Sequence, residues 1–418
     1  MADGPVEVFV EIGGERLLAG RLWAHRRRGA ESATFRYEVS YLAQKSAYAL
    51  DPALPLVEGS QQTPLGRAMF GAFSDCAPDR WGRRLINRAE EHRVREAGTG
   101  AERNFGEADY LLRVRDDLRQ GALRFRDPHT KDWLATESDG VPHLLELPAL
   151  LSASERMERD EATAAELRTL LRGGSSLGGT RPKAHVLDAN GCVAIAKFPS
   201  PVADEWDVMR WEALALRLAR RAGVDAARAQ LHEVDGRYVL LVDRFDRAGG
   251  RRVGYVSALT MLEAADGDQA SYVDIAEAVE EHSPAAARDL RELWRRMVFG
   301  ILIRNTDDHL RNHGFVRADT AGWSLSPAFD VNPDPSPGIA RLATSIDGRT
   351  DEARVDVALE VADVFRLSDD EARDVLREVG AATAGWRDLA AELSLPAVEI
   401  DRMAAAFDHD QATFARRV

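Results

Sequence analysis

Along this chain the rhythm of hydrophobic and polar positions changes more than once. Near the start, Val6-Glu7-Val8-Phe9-Val10-Glu11-Ile12 and Arg16-Leu17-Leu18-Ala19-Gly20-Arg21-Leu22-Trp23 flank Gly13-Gly14-Glu15. Apolar-rich runs on both sides of a glycine pair predict a β-hairpin. Residues 35–42 alternate as a third strand does. From Pro64 onward, the anchors Met69, Phe70, Phe73, Trp81, Leu85 and Ile86 predict mostly helical structure. The polar, charge-rich residues 87–104 then mark a soft domain boundary.

Two more hairpins are predicted further on. Residues 184–186 and 193–198 flank Asp188-Ala189-Asn190-Gly191, and residues 231–234 and 238–242 flank Asp235-Gly236. Between them, residues 206–221 carry helical spacing, with Met209, Leu214, Leu216 and Leu218 as buried positions. After Arg247 the pattern is mostly helical. Leu290, Leu293, Trp294, Met297, Ile301 and Leu302 predict a buried helix, and several short helices are expected from Val355 on. The sum is a β-rich first half and a helical second half.

Composition narrows the classes. A length of 418 residues suggests two or three domains. Lys plus Arg is 55 against 69 Asp plus Glu, a net charge of -14, which argues against a broad nucleic-acid footprint while leaving room for a local basic patch. Cys76 and Cys192 stand alone and far apart, so no disulfide framework is expected and a reducing cytosol suits the chain. The N-terminus has no basic or apolar signal region, and no uncharged apolar run approaches the ~20 residues that span a bilayer. The expectation is a cytoplasmic protein without membrane contact.

Five stretches carry candidate chemistry. In Arg304-Asn305-Thr306-Asp307-Asp308-His309-Leu310-Arg311-Asn312, Asp307 and Asn312 have the D-x-x-x-x-N spacing of a kinase catalytic loop. Phosphoryl transfer needs a carboxylate to orient the attacking hydroxyl and a neutral oxygen ligand for Mg²⁺. By itself the pattern fits a solvated turn better. Leu325-Ser326-Pro327-Ala328-Phe329-Asp330-Val331 follows a short predicted hairpin and places Asp330 just past a strand, where a kinase keeps its main Mg²⁺ carboxylate. In Ala194-Ile195-Ala196-Lys197-Phe198-Pro199, Lys197 ends an apolar strand like the V-A-I-K lysine that holds ATP phosphates. Its carboxylate partner would be Glu212, with Glu205 behind it; an edge-strand lysine with its head in water is an equal reading. Residues 173–183, Gly-Gly-Ser-Ser-Leu-Gly-Gly-Thr-Arg-Pro-Lys, have the small residues that let backbone N–H groups approach phosphate oxygens, though a linker is open on composition. Val239 through Arg247 is an apolar strand running into charge, which is either a kinase hinge or a strand leaving its sheet. His309 and His313 have helical i, i+4 spacing, but no glutamate follows His309 and no cysteine lies near, so zinc is not expected.

Taken in this order, Ser175 to Ala184, Ala196 to Pro199, Val242 to Arg247, Asn305 to Asn312 and Pro327 to Val331 resemble the signatures of the HipA family of toxin–antitoxin kinases. The stretch F-S-D-C-A-P-D-R-W-G-R-R-L from Phe73 to Leu85 is similar to that family's N-terminal domain. The resemblance implies an α+β, two-lobed protein-kinase-like fold: a HipA-type N-terminal domain over 1–104, an N-lobe-like part over 105–246 and a helical C-lobe over 247–418. It implies a serine/threonine protein kinase using ATP and Mg²⁺, with Asp307 as base, Asn312 and Asp330 as metal ligands, and Lys197 on the phosphates. Gly178, Gly179, Thr180, Arg181, Pro182 and Lys183 would form the phosphate loop, and Asp243, Arg244 and Phe245 the adenine-facing hinge. His309 and Phe329 would join the ATP site, and Ser176, with Ser175 beside it, would be autophosphorylated. The implied partner is a helix-turn-helix antitoxin, through which alone nucleic acid is contacted. The implied substrate is glutamyl-tRNA synthetase or another translation factor. A small-molecule kinase of the aminoglycoside type, or a pseudokinase that serves as a binding module or co-repressor, are the competing expectations.

Overall fold

The computed structural model describes residues 4–98, 104–136, 139–174, 179–319 and 321–418. The chain divides into two compact units that interleave along the sequence. The first comprises Met1–Ala203, Glu233–Val256 and Val316–Thr320; the second comprises Asp204–His232, Ser257–Phe315 and Ala321–Val418.

The first unit opens on the predicted hairpin. Strands Val6–Ile12 and Glu15–Arg27 pair antiparallel with Ile12 opposite Glu15. Gly13 and Gly14 turn the chain with φ of 61° and 92°, a backbone region that a side chain would strain. Ala30–Tyr37, Ser60–Gln62 and Leu123–Arg126 complete a five-stranded sheet. The expected third strand over 35–42 stops at Tyr37. The backbone N–H of Glu38 still bonds Ala19, but its carbonyl accepts from Tyr41 and Leu42 instead of extending the ladder. Val39–Leu42 is therefore a short helix. Alternation alone could not reveal it, because Tyr41 is buried there through its hydroxyl bond to the Tyr48 carbonyl. Phe35, Phe73 and Phe125 pack edge or tilted at 5.6 and 6.0 Å under this sheet.

Helix Arg80–Ala97 starts at Asp79, whose side chain accepts the Gly82 N–H at 2.6 Å, and ends at Gly98 with φ 63°. Much of the polar stretch over 87–104 is thus the outer face of this helix, laced by pairs such as Arg93–Glu90 and Arg88–Glu91. Two helices that the hydrophobic pattern did not announce, Leu147–Glu158 and Ala164–Arg172, bury Leu150, Leu151, Leu167 and Leu170. They share one core with Trp81, Leu85, Val186, Ala196, Phe198 and Leu241. The last four of these lie in or beside a second sheet, in which Lys183–Leu187 pairs with Val193–Lys197 and the latter with Arg237–Asp243. Both expected turns are present: Asp188 accepts the N–H groups of Asn190 and Cys192, each at 2.8 Å, and Asp235 and Gly236 take φ of 50° and 73°.

The second unit is mostly helical. Helix Ala286–Ile303 buries Leu290, Leu293, Trp294, Met297 and Ile301 at its predicted spacing, and Trp294 donates its indole N–H to Ala358. Helix Val208–Arg221 packs Trp211 near Trp386, which stacks on Phe407 at 4.7 Å. Burial of each such side chain contributes about 1.5–3 kcal/mol. The tail is helical as expected, although Asp369–Ala384, capped by Ser368 and Glu371, is longer than a short helix. Among the described residues no helix is long and apolar enough to cross a membrane.

Candidate active site

In the second unit, the buried helix ends at Ile303 because Arg304 turns left-handed at φ 54°. Arg304 is held there by a bond from its guanidinium to the Gly338 carbonyl at 2.8 Å. The chain then runs as a loop through Asp307 to a short turn over Leu310–Asn312. Three bonds clamp this loop to the stretch after Asp330. The Asn332 N–H reaches the Asn305 side-chain oxygen (3.1 Å), the Thr306 hydroxyl donates to Asp334 (2.7 Å), and the Asp334 N–H reaches the Arg304 carbonyl. Thus this unit brings the two expected motifs, around Asp307 and Asp330, into one hydrogen-bonded arrangement.

Asp307 is exposed. Its carbonyl accepts the His309 N–H at 2.9 Å and the Asn312 side-chain amide at 3.0 Å. The second bond uses the amide nitrogen of Asn312 and leaves its oxygen as the end suited to a hard cation. Asp330 has φ 55°, an uncommon conformation for a residue with a side chain. Two residues before it, Ala328 is pinned by bonds to Asp225 and Ala227. Asn312 and Asp330 are the two oxygen donors expected for Mg²⁺, an ion that commonly takes few protein ligands plus substrate phosphates. Among the described residues no three His, Cys, Asp or Glu side chains cluster as metal ligands. His309 and His313 do not share a helix: His309 precedes the short turn, with its Nδ1 buried and unpaired, while His313 faces Asp308.

Sequence reading missed Asp308 and Tyr272. The Tyr272 hydroxyl donates to the Asp308 carboxylate, and His313 Nε2 lies 3.3 Å from it. Burial pushes the Asp308 pKa up, but His313 and Tyr272 outweigh it and the net direction is down. The Tyr272 phenol is pushed well above its ordinary value by burial and by Asp308. This buried anchor fixes the residue next to Asp307. Only the doubled aspartate hinted at it in the sequence; Tyr272 lies 36 residues away.

In the first unit, Lys197 ends its strand opposite Lys183 and Leu240. Gly179 has φ 118°, a left-handed conformation that favours glycine. The Lys183 ammonium is ion-paired with Asp79 at 2.7 Å, both side chains being nearly buried. Burial pushes the Asp79 pKa up despite that lysine. Thr180 is exposed, Arg181 is half-buried, and the Pro182 carbonyl accepts the Phe198 N–H. Ser175, Ser176 and Gly178 lie outside the described residues.

At the expected hinge, Asp243 is exposed while Arg244 is buried. The Arg244 fork bonds Asp246 at 2.8 and 2.6 Å, and another of its N–H groups reaches the Leu118 carbonyl. What this segment offers a ligand is therefore its backbone and Asp243, not the Arg244 side chain. His185 connects the hinge to the start of the glycine stretch, with Nδ1 2.8 Å from the Gly173 carbonyl and Nε2 3.0 Å from Arg244. Since Arg244 only donates, Nε2 accepts and Nδ1 carries the proton. Burial, and then Arg244, depress the His185 pKa well below the usual histidine value. Of the expected carboxylates, Glu212 is buried on its helix in the second unit and Glu205 pairs with Arg402.

Residues 175–386 match the family model described as HipA-like C-terminal domain. Over 99% of both chains, the structure is similar to HipA of Shewanella oneidensis MR-1, solved as a toxin–antitoxin complex with HipB and operator DNA. The TM-score is 0.61 and the identity 17%. That likeness establishes the fold as protein-kinase-like, the class expected from the sequence. The putative kinase Y4mE of Sinorhizobium fredii is 27% identical over 178 residues, 39% of this chain and 40% of that protein. A putative kinase of Haemophilus influenzae is 35% identical over 77 residues, 18% of this chain and 22% of that protein. The chain thus spans less than half the length of these curated relatives.

Proposed function

This chain belongs to the HipA-like family, and from that premise we propose that it is an ATP-dependent serine/threonine protein kinase that transfers the γ-phosphoryl to a protein hydroxyl. One observation carries the reading. Asp307 stands exposed on a loop whose backbone is tied by Asn312 and whose neighbour Asp308 is anchored by Tyr272 and His313. Phosphoryl transfer needs little from a protein beyond positioning and charge stabilisation. A carboxylate on a fixed loop is suited to accept the substrate hydroxyl's hydrogen bond and aim its oxygen at the phosphorus.

In this reading Asn312 and Asp330 hold Mg²⁺, with His309 and Phe329 beside the nucleotide. When bound, the metal would neutralise charge on the transferring phosphates. Lys197 holds the α- and β-phosphates, the backbone over 178–183 cradles them, and the backbone over 243–245 takes the adenine. Ser176 is the site of self-phosphorylation; a phosphate there adds about -1.5 to -2 charge and opposes the like charge of a nucleotide. The partner is a helix-turn-helix antitoxin, and the substrate is glutamyl-tRNA synthetase or another translation factor. Incubation of the purified chain with Mg²⁺ and γ-labelled ATP, followed by mass spectrometry, tests the reading. Label on Ser176 and on an added protein substrate supports it; no transfer to any protein hydroxyl contradicts it.

A further inference from the structure

Within the first unit, helices Arg80–Ala97 and Ala164–Arg172 border a cavity of about 390 Å³, inside the range of about 300–1,000 Å³ typical of small-molecule sites. Its floor is apolar. Ile86, Ala89, Leu167 and Leu171 line it, and three of these belong to or pack against the core that also buries Leu85 and Leu170. Phe105 forms a side wall and carries the Arg113 guanidinium 4.0 Å above its ring.

The rest of the lining is charged and leans positive, with Arg93, Arg113, Arg115 and Arg168 against Glu90 and Glu96, together with His92. Three of the arginines are already engaged: Arg93 with Glu90, Arg113 with Asp109, and the buried Arg115 with Asp117. Arg168 is exposed and forms no ion pair among the described residues. An apolar floor beneath a guanidinium without a counter-ion is a combination that water and inorganic ions serve poorly. The cavity also touches Gly174, whose φ is 76° and where a Cβ would come within 2.8 Å of Leu118.

We propose that this cavity binds an amphipathic organic anion. The apolar body lies on Leu167 and Leu171, and a single carboxylate, sulfonate or phosphate head meets Arg168. The site does not depend on the kinase reading, since none of its residues is assigned to phosphoryl transfer. Its place beside Gly174 sets an occupant against one residue at the start of the glycine stretch.

The test is a titration of the full-length chain with anilinonaphthalene sulfonate, which joins an apolar ring system to one anion and brightens when its rings leave water. Wild type should give saturable one-to-one binding that weakens with salt. Ala89→Trp, which fills the floor from one helix, and Ala164→Phe, which fills it from the other, should abolish the signal. Arg168→Glu, a surface change, should weaken binding about tenfold or more. Melting curves establish that each variant is folded, and the surface variant decides if a filling variant is not. No saturable binding to wild type overturns the proposal, as does undiminished binding to folded filling variants or to Arg168→Glu.

Discussion

Two short acidic segments, one in each unit, follow the same plan with different chemistry. In Asp243-Arg244-Phe245-Asp246 the first aspartate is exposed and the last is buried. In Asp307-Asp308 the first is exposed and its neighbour turns inward. The inward partners differ. Asp246 is held by two guanidinium groups, Arg244 at 2.6 Å and Arg247 at 2.9 Å, and by the Gly121 N–H. Asp308 is held by a phenol and a histidine. The first arrangement buries full charges that need one another. The second fixes a loop without importing a second permanent charge beside the residue that would meet substrate. The inward carboxylate in such a motif therefore reports on architecture, and the exposed one is the candidate for chemistry.

The largest effect should come from breaking the charged arrangement. Asp246→Ala leaves the buried Arg244 and the half-buried Arg247 without their counter-charge and should cost about 3–5 kcal/mol in denaturant unfolding; a loss below 1 kcal/mol would remove the contrast. Asp308→Ala should cost about 1–3 kcal/mol, the penalty of leaving the Tyr272 hydroxyl unsatisfied. If its cost equals that of Asp246→Ala, the two inward sites are not different in kind.

Acid should separate the groups further. The folded pKa of His185 lies well below 6.5, so below about pH 6.5 the unfolded chain takes up a proton that the folded chain refuses. Stability falls as pH drops through that window, by at most about 1.4 kcal/mol per pH unit from this group. His185→Gln should flatten the slope between pH 6.5 and 5. Asp246 and Asp308 are both depressed when folded, so their contributions persist above about pH 4 and are lost only as pH falls further. A smaller effect concerns the metal: in calorimetric titration with Mg-ATP, Asp330→Ala should weaken binding more than Asn312→Ala, because it removes a charged ligand. Equal, unaltered affinities would contradict the assignment.

Features with local causes were legible in the sequence. Gly13-Gly14 and Asp235-Gly236 announce their turns because few other residues adopt positive φ, and the helix over Ala286–Ile303 follows from the spacing of Leu290, Leu293 and Trp294. The loop that follows that helix is legible for the same reason. What was hidden depends on distant partners. Lys183 meets Asp79 across 104 residues and Arg244 meets the Leu118 carbonyl across 126. No local pattern says which aspartate of Asp243-Arg244-Phe245-Asp246 turns inward. Within the polar stretch 87–104, the residues up to Ala97 belong to a helix that buries one face and shows mostly charge along its outer one, a pattern that reads as a boundary.

In the proposed function Asp307 does the chemistry while Asp308 holds it in place. The most direct measurement compares γ-phosphoryl transfer from labelled Mg-ATP by wild type, Asp307→Asn and Asp308→Asn, each at matched concentration of folded protein. Asp307→Asn should melt like wild type, still bind Mg-ATP and lose transfer by about 100-fold to 10,000-fold, whereas Asp308→Asn should lose stability and activity together. Transfer by folded Asp307→Asn at the wild-type rate would contradict it.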